Sequence, residues 1–139
     1  MRPHEAAHQE SGLSSVSTFY ELFAAAAQRW PASVATEVQR PSGLESYSFA
    51  ELRRMAEGVG AWLHQRYAAD TRAAILAENH PRWVAAFLGT TAAGCIAVPL
   101  DTAFTAEQVR KLLLDSGSLL LFVDAKHTET AQQAITGLN

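Results

Sequence analysis

The chain has 139 residues, of which 48% are hydrophobic and 18% charged, and its formal net charge is −3. This composition is typical of a single globular domain, and the weak negative charge gives no electrostatic basis for binding nucleic acid or an anionic membrane surface. No apolar run approaches the ~20 residues that span a bilayer, the first residues lack the apolar segment of a secretory signal, and the single cysteine, Cys95, excludes an internal disulfide. We therefore expect a cytoplasmic protein without a transmembrane segment.

Residues 1–16 are predicted to be a flexible N-terminal segment, because they are polar and show no sustained periodicity. They contain His4, Glu5 and His8, which match the H-E-x-x-H pattern of zinc proteases. That chemistry requires both imidazoles on one rigid helix, a third ligand, and a carboxylate over the metal-bound water. A loose chain end lacks this context, so we interpret the match as coincidental and predict no metal site.

Ordered structure is predicted over residues 17–139, beginning with a capped helix. In a capping box, a Ser or Thr and a Glu or Gln three residues later satisfy each other's backbone donors at a helix start. Three pairs have this spacing: Thr18 with Glu21, Ser48 with Glu51, and Thr105 with Gln108. The first helix ends near Pro31. Its inward stripe is predicted to consist of Phe19, Leu22, Phe23 and Ala26.

A hairpin and a long helix follow. Alternating residues at 33–38 predict a half-buried strand, and a turn with a return strand at 44–47 completes the hairpin. The second helix, over residues 49–67, is predicted to bury Leu52, Met55, Ala56, Val59 and Leu63. We expect Gly58 and Gly60 to let this helix approach the sheet closely. They lack the third glycine of a dinucleotide fingerprint.

Three apolar runs, at 73–77, 95–98 and 118–123, alternate with helical patterns in the second half of the chain. This order predicts strand–helix–strand crossovers in a parallel sheet. Pro81 suits the first turn of the intervening helix and Gly94 suits its C-terminal cap. The predicted inward residues of the two crossover helices are Trp83, Val84, Phe87 and Leu88, and then Val109, Leu112 and Leu113.

A glycine at position 117 ends the second crossover helix, and a last helix is predicted over residues 128–136. The predicted fold is therefore α/β: a parallel-rich sheet with helices on both faces and a small hairpin near the start.

Two segments carry a family resemblance. Residues 47–52 read Tyr-Ser-Phe-Ala-Glu-Leu, and residues 92–101 read Ala-Ala-Gly-Cys-Ile-Ala-Val-Pro-Leu-Asp. They resemble the first and second core motifs of the adenylate-forming (AMP-binding) ligases, although Cys95 stands where Ala is more usual. Residues 78–83 are most similar to fatty-acyl and related acyl-CoA synthetases. Over residues 18–123 the resemblance implies the N-terminal subdomain of that fold.

The resemblance also implies a function. The complete enzyme would be an ATP-dependent ligase that joins a fatty or other carboxylic acid to AMP and then passes the acyl group to CoA or an acyl carrier protein, with ATP, Mg and CoA as cofactors. In this family the phosphate loop, the magnesium-binding acid and the catalytic lysine lie downstream of the region present here. We therefore predict no catalytic residue, no cofactor and no ligase activity for this chain alone.

Few residues remain as candidates for ligand binding. Residues 89–94 are rich in Gly and Thr, but no lysine follows and they end a helix, where carbonyl groups repel phosphate. Asn79 and His80 follow a strand at the edge where open α/β sheets bind ligands, although helix capping is the favoured interpretation. Lys126 and His127 follow the third strand, where some acyl-CoA synthetases hold basic residues near the CoA nucleotide. We interpret them as an exposed, solvated pair.

Two other functions stay open. The chain could be a stand-alone, non-catalytic binding module derived from such a ligase, or an unrelated flavodoxin-like receiver, although it lacks a receiver's acidic cluster and lysine. If it is a fragment, an apolar surface is expected to meet the remainder of the ligase chain or a second copy in a self-dimer.

Overall fold

The computed structural model of the chain describes residues 17–138. The helices are α1 (Phe19–Arg29), α2 (Phe49–His64), α3 (Pro81–Ala92), α4 (Ala106–Ser116) and α5 (Thr128–Ile135). The strands are β1 (Val34–Arg40), β2 (Gly43–Ser48), β3 (Arg72–Leu76), β4 (Ile96–Pro99) and β5 (Leu120–Val123). A short 3-10 helix, Ala125–His127, precedes α5. The predicted flexible segment 1–16, with its H-E-x-x-H pattern, lies outside the described residues.

The predicted α/β fold is confirmed. Strands β3, β4 and β5 form a parallel sheet in the order β4-β3-β5, and β1 and β2 pair antiparallel as a separate hairpin. The central strand is buried on both faces, since residues Ala73, Ala74, Ile75 and Leu76 are each no more than 1% exposed. Continuous apolar runs of this kind are typical of strands covered on both sides.

Helices cover both faces of the sheet. On one face, Ala74 and Leu76 join a buried cluster with Val109 and Leu113 of α4 and with two alanines of α5. Because side chains alternate along a strand, Ala73 and Ile75 point to the opposite face, toward α2 and α3. Cys95, which lies in the second apolar run, is 6% exposed and belongs to the core.

The predicted helix ends are also present. All three capping boxes form with both of their hydrogen bonds, and Pro81 occupies the first turn of α3. Gly94 and Gly117 follow α3 and α4 with φ of 72° and 65°, the left-handed conformation that terminates helices. Helix α2 ends at His64, before the predicted residue 67.

The predicted inward stripe of α1 is only partly covered. Phe19 is 70% exposed and Leu22 is 45% exposed, whereas Ala27 is the buried residue of this helix. The helix contacts its neighbours through two aromatic pairs, Phe19 edge-on to Phe87 at 6.1 Å and Phe23 stacked on Phe49 at 6.0 Å between ring centroids. A sequence period identifies the apolar face of a helix, but the neighbouring elements decide how much of that face they cover.

The close approach predicted for α2 is made to α3 rather than to the sheet. A Cβ atom added at Gly60 would lie 3.1 Å from the carbonyl oxygen of Gly89. A Cβ atom added at Gly89 would lie 2.5 Å from the carbonyl oxygen of Ala56 and 2.6 Å from Cβ of Val59. Gly58, in contrast, has open space beside it. The glycines at 60 and 89 therefore permit backbone contact between two helices, and the expectation for Gly58 was wrong.

We expect Gly89→Ala to lower the free energy of unfolding by about 1–3 kcal/mol, because the added methyl group overpacks the α2–α3 contact. This loss exceeds the ~1 kcal/mol by which alanine is the better helix former. Gly58→Ala is the matched control, since it gains propensity without a clash and should raise stability by up to about 1 kcal/mol. Guanidinium denaturation of the two variants checks the difference, and equal stabilisation of both would contradict it.

Candidate functional site

A groove of about 820 Å³ opens at the carboxyl ends of β3 and β5. The chain passes from β3 to β4 on one side and then returns to place β5 on the other side, so the groove lies at a topological switch point, where open α/β sheets bind ligands. Elements α2, β3, α3 and β5 supply its apolar wall, which includes Met55, Val59, Ile75, Ala86 and Phe122. Its rim is polar and carries charges from three other segments.

Asp124 joins the two strands at this rim. Its Oδ2 accepts a hydrogen bond from the backbone N–H of Glu78 at 2.9 Å, and its Oδ1 accepts one from the backbone N–H of His127 at 3.0 Å. The ring Nδ1 of His127 lies 2.6 Å from the same Oδ1. Partial burial raises the pKa of Asp124, but the hydrogen bonds from Glu78 and His127 outweigh it and leave the pKa below its ordinary value. The ionised carboxylate therefore ties the end of β3 to the segment that follows β5.

Lys126 and Glu78 form a salt bridge across the same rim. Their side chains are 69% and 53% exposed, so water screens the pair and it contributes little to stability. Both residues line the groove together with Asn79, which is exposed and whose side chain has no hydrogen-bond partner within residues 17–138. These are the polar groups that a ligand or a covering segment would meet.

The hairpin forms the opposite side of the groove through Arg40. Its Nη2 lies 2.7 Å from Nε2 of His80, and its Nε lies 3.2 Å from Oε2 of Glu45. The hydroxyl of Tyr47 donates to Glu45, and the Tyr47 ring meets the His80 ring edge-on with 6.4 Å between centroids. The backbone N–H of Arg82 points at Nδ1 of His80 at 3.0 Å, the capping position of α3, and a neutral ring accepts either this donor or Arg40 according to its tautomer. One histidine thus contacts both the hairpin and the helix.

A second, more polar hollow of about 540 Å³ lies between the carboxyl ends of β3 and β4. Glu78, Asn79 and Trp83 separate it from the first groove, and Asp101 and Thr102 line its far side. The Asp101 carboxylate accepts the backbone N–H of Ala103 at 2.8 Å, which is a local turn contact. The carboxyl edge of the sheet is therefore open on both sides of β3.

The structure agrees with some of the expectations for the candidate binding residues and disagrees with others. Lys126 is exposed at the groove rim as expected, and His80 rather than Asn79 is the helix cap. His127 is 9% exposed and bonded to Asp124, so the expectation of an exposed, solvated pair was wrong for this residue. The roles of Asn79, Lys126 and His127 in binding a ligand stay predictions.

Sequence reasoning missed two residues of this site, Asp124 and Arg40. Asp124 ends the apolar run of β5 and stands three residues before His127, a spacing that suits a local turn bonded by its own side chain. Its contact with Glu78 spans 46 residues, and the contact of Arg40 with His80 spans 40. A local sequence pattern cannot predict contacts between residues so far apart in the chain.

Residues 89–94 do not fit a phosphate ligand. They form the last turn of α3 and its cap, with the Thr90 hydroxyl donating to the carbonyl of Ala86 at 2.7 Å and that of Thr91 donating to Leu88 at 2.9 Å. This end carries the negative end of the helix dipole, and the carbonyls of Gly89, Thr90 and Thr91 accept the backbone N–H groups of residues 93–95. The prediction that these residues end a helix is confirmed.

No group of three His, Cys, Asp or Glu side chains positioned to hold a metal ion occurs among residues 17–138. In the same part of the chain, no helix combines the length and the apolar character needed to cross a bilayer.

Comparison with known proteins identifies relatives for most of the chain. The family described as "AMP-binding enzyme" matches residues 23–138. Bacitracin synthase 3 of Bacillus licheniformis is 29% identical over 110 residues, which are 78% of this chain and 2% of that protein. The 3-hydroxybenzoate–CoA ligase of Aromatoleum sp. (strain CIB) is 32% identical over 92 residues, which are 66% of this chain and 18% of that protein.

The fold has relatives among solved structures. A benzoate CoA ligase from Burkholderia xenovorans LB400 superposes with a TM-score of 0.79 at 18% sequence identity, covering 88% of this chain and 24% of that chain. At that identity the likeness concerns the fold alone. The chain thus spans at most 24% of the length of these three proteins.

Asp124→Ala is expected to lower the free energy of unfolding by about 1–3 kcal/mol, because the backbone N–H of Glu78 and the ring of His127 lose their partner. The pKa of Asp124 is lowered in the folded state, so its contribution is complete above the ordinary value of 3.8 and is lost as the pH falls through the folded pKa. Urea denaturation between pH 7 and pH 2.5 measures both effects. Asp115→Ala, at an exposed position of α4, should change stability by less than about 0.5 kcal/mol, and equal losses for the two variants would refute the role of Asp124.

Proposed function

The chain belongs to the AMP-binding enzyme family, and on that premise we propose that it is the N-terminal portion of an ATP-dependent adenylate-forming ligase. The observation that carries the proposal is the family match over residues 23–138 in a chain that spans only 18% of a CoA ligase and 24% of another. Membership of this family makes an unrelated flavodoxin-like receiver the wrong interpretation.

In the proposed reaction, a carboxylate oxygen of the substrate attacks the α-phosphorus of ATP, and the bond to pyrophosphate breaks. The acyl-adenylate then reacts with a thiol, which forms a thioester and releases AMP. CoA and an acyl carrier protein are the two thiol donors, and Mg would accompany ATP. We favour a fatty or related acid because residues 78–83 resemble fatty-acyl-CoA ligases, while the relatives reported above are named for aromatic acids and a peptide.

The part of this chain in that reaction is to build one wall of the active-site cleft. The carboxyl edge of its sheet is open on both sides of β3, which is where a second segment could close over a substrate. Two of the cations at this edge are engaged locally, since Arg40 pairs with Glu45 and Lys126 pairs with Glu78, whereas Arg82 lines the groove without an ion pair among residues 17–138. Residues 89–94 end α3, where the backbone N–H groups are already bonded within the helix and its cap. We therefore propose that the 139 residues have no ligase activity alone.

The proposed partner is the remainder of the ligase chain. Strand β5 has β3 on one side only, and apolar side chains near it are exposed, including Leu119 at 71%, Leu114 at 59% and Val123 at 39%. Unpaired strand edges of this kind bind other chains when they are not covered. In the isolated chain the same surface would form a self-dimer. A cytoplasmic location is part of the proposal.

The alternative function is a stand-alone, non-catalytic binding module derived from such a ligase. The observation in its favour is a self-contained core. Five large side chains in it are each no more than 2% exposed: Leu52, Leu63, Ile75, Leu76 and Val109. Such a core allows the chain to fold without further residues.

Pyrophosphate exchange into ATP tests the proposed function. The 139-residue chain is compared with the product of the same reading frame continued downstream, using octanoate, benzoate and an amino acid as substrates. We expect carboxylate-dependent exchange from the longer protein and background exchange from the 139 residues. Exchange by the short chain would refute the assigned role, and a stop codon directly after Asn139 would favour the binding module.

Light scattering tests the exposed surface beside β5. The isolated chain is expected to form a dimer, because β5 has an unpaired edge and apolar neighbours. Leu119→Glu should return it to a monomer, whereas Leu44→Glu, at a residue of the hairpin tip that is 58% exposed, should leave the dimer intact. A monodisperse monomer at high concentration would rule out the self-dimer.

A further inference from the structure

We infer that the contact between Arg40 and His80 is a pH-sensitive latch, which holds the β1–β2 hairpin against the groove at neutral pH and releases it when His80 takes up a proton. The latch consists of Arg40 on β1, Glu45 and Tyr47 on β2, and His80 at the start of α3. This inference does not depend on ligase activity, because it concerns the access to the groove of the chain itself.

The hairpin joins the rest of the molecule at its base, and both of its strands also pack against α2, with β1 reaching α3. The backbone N–H of Phe49 donates to Ser33 and that of Ala50 donates to Pro31, each at 3.0 Å. The other end of the hairpin is exposed, and Arg40 lies beside its turn. Within residues 17–138, the Arg40–His80 contact is the one polar side-chain contact between the hairpin and α3. Loss of this contact would leave the end of the hairpin held by packing against α2 and α3 alone, which favours its opening.

The hydrogen-bonding capacity of His80 makes the contact sensitive to protons. A guanidinium group only donates, and a neutral imidazole has a single acceptor nitrogen. The two ring nitrogens of His80 face two donors, the backbone N–H of Arg82 at 3.0 Å and Nη2 of Arg40 at 2.7 Å. A neutral ring satisfies one donor at a time. An imidazolium ring satisfies neither, and it places a positive charge against the guanidinium of Arg40.

The charges that surround His80 disfavour its protonated form. Burial lowers the pKa of His80, and the nearby charges of Arg40 and Arg82 lower it further, while Glu45 opposes them. The hydrogen bonds from Tyr47 and Arg40 lower the pKa of Glu45, and the hydrogen bond to Glu45 raises the pKa of Tyr47. Glu45 therefore stays charged and Tyr47 neutral between pH 7.5 and pH 5, which leaves His80 as the latch residue able to take up a proton.

The direction of the effect follows from proton linkage. When the hairpin opens, water reaches His80 and its pKa returns toward the ordinary value of 6.5. The open form then binds more protons than the closed form, so closure is favoured as the pH rises. Closure is complete above about pH 6.5 and weakens as the pH falls toward the lower pKa of the closed form. With one proton taken up, the opening constant changes by at most about tenfold per pH unit.

Amide hydrogen exchange of the 139-residue chain, followed by NMR between pH 7.5 and pH 5, measures this opening. After correction for the intrinsic pH dependence of exchange, the amides of β1 and β2 should lose protection as the pH falls below about 6.5, by up to about tenfold per pH unit. The amides of β3 should keep their protection. Hairpin amides that follow those of β3 at every pH would overturn the latch.

Three variants identify the group responsible. His80→Asn keeps an acceptor that caps α3 but cannot titrate, so protection of its hairpin should be independent of pH. Arg40→Gln removes the opposing charge, and the pKa of the His80 ring, read from its NMR signals, should move up toward 6.5. His64→Asn, at an exposed position near the end of α2, should retain the wild-type response. An unchanged acid response in His80→Asn, or an unchanged ring pKa in Arg40→Gln, would overturn the inference.

Discussion

The backbone contact between α2 and α3 is the constraint on which the rest of this structure depends. Two residues without side chains, Gly60 and Gly89, let the helices touch through their main chains. This close approach of the two helices brings Met55 and Val59 of α2 to the wall of the groove, next to residues of α3. The same contact sets the position in space of the first turn of α3, and therefore the position of His80. A larger side chain at either glycine would separate the helices and open the wall.

Several charges at the carboxyl edge of the sheet are already paired, although Arg82 forms no ion pair among residues 17–138. Asp124 binds two backbone donors, Lys126 faces Glu78, and Arg40 faces Glu45. A phosphate-gripping site needs donors that are oriented and unengaged before the ligand arrives. Paired charges instead stiffen the edge at which the strands end. This arrangement supports the proposed role as a wall of a cleft whose reactive groups come from another segment.

The features that could be predicted from the sequence are those that neighbouring residues determine. A capping box needs only residues three apart, and Pro81 is suited to a first helical turn by its own ring, so helix starts were predicted well. The parallel sheet followed from the alternation of apolar runs with helical patterns. The burial of His127 and the exposure of Phe19 could not be predicted in this way, because each depends on an element that packs from elsewhere in the chain.

The histidine at position 80 serves both as a helix cap and in a tertiary contact. Histidine is not among the residues that usually cap helices, which are Ser, Thr, Asp and Asn, and three other helices of this chain begin with Ser or Thr caps. A better cap at this position would satisfy Arg82 but would not extend a second ring nitrogen to Arg40. Because a neutral ring accepts only one of these two donors, α3 and the hairpin compete for the same side chain. This polar contact of the hairpin with α3 is therefore weak enough for one proton to break.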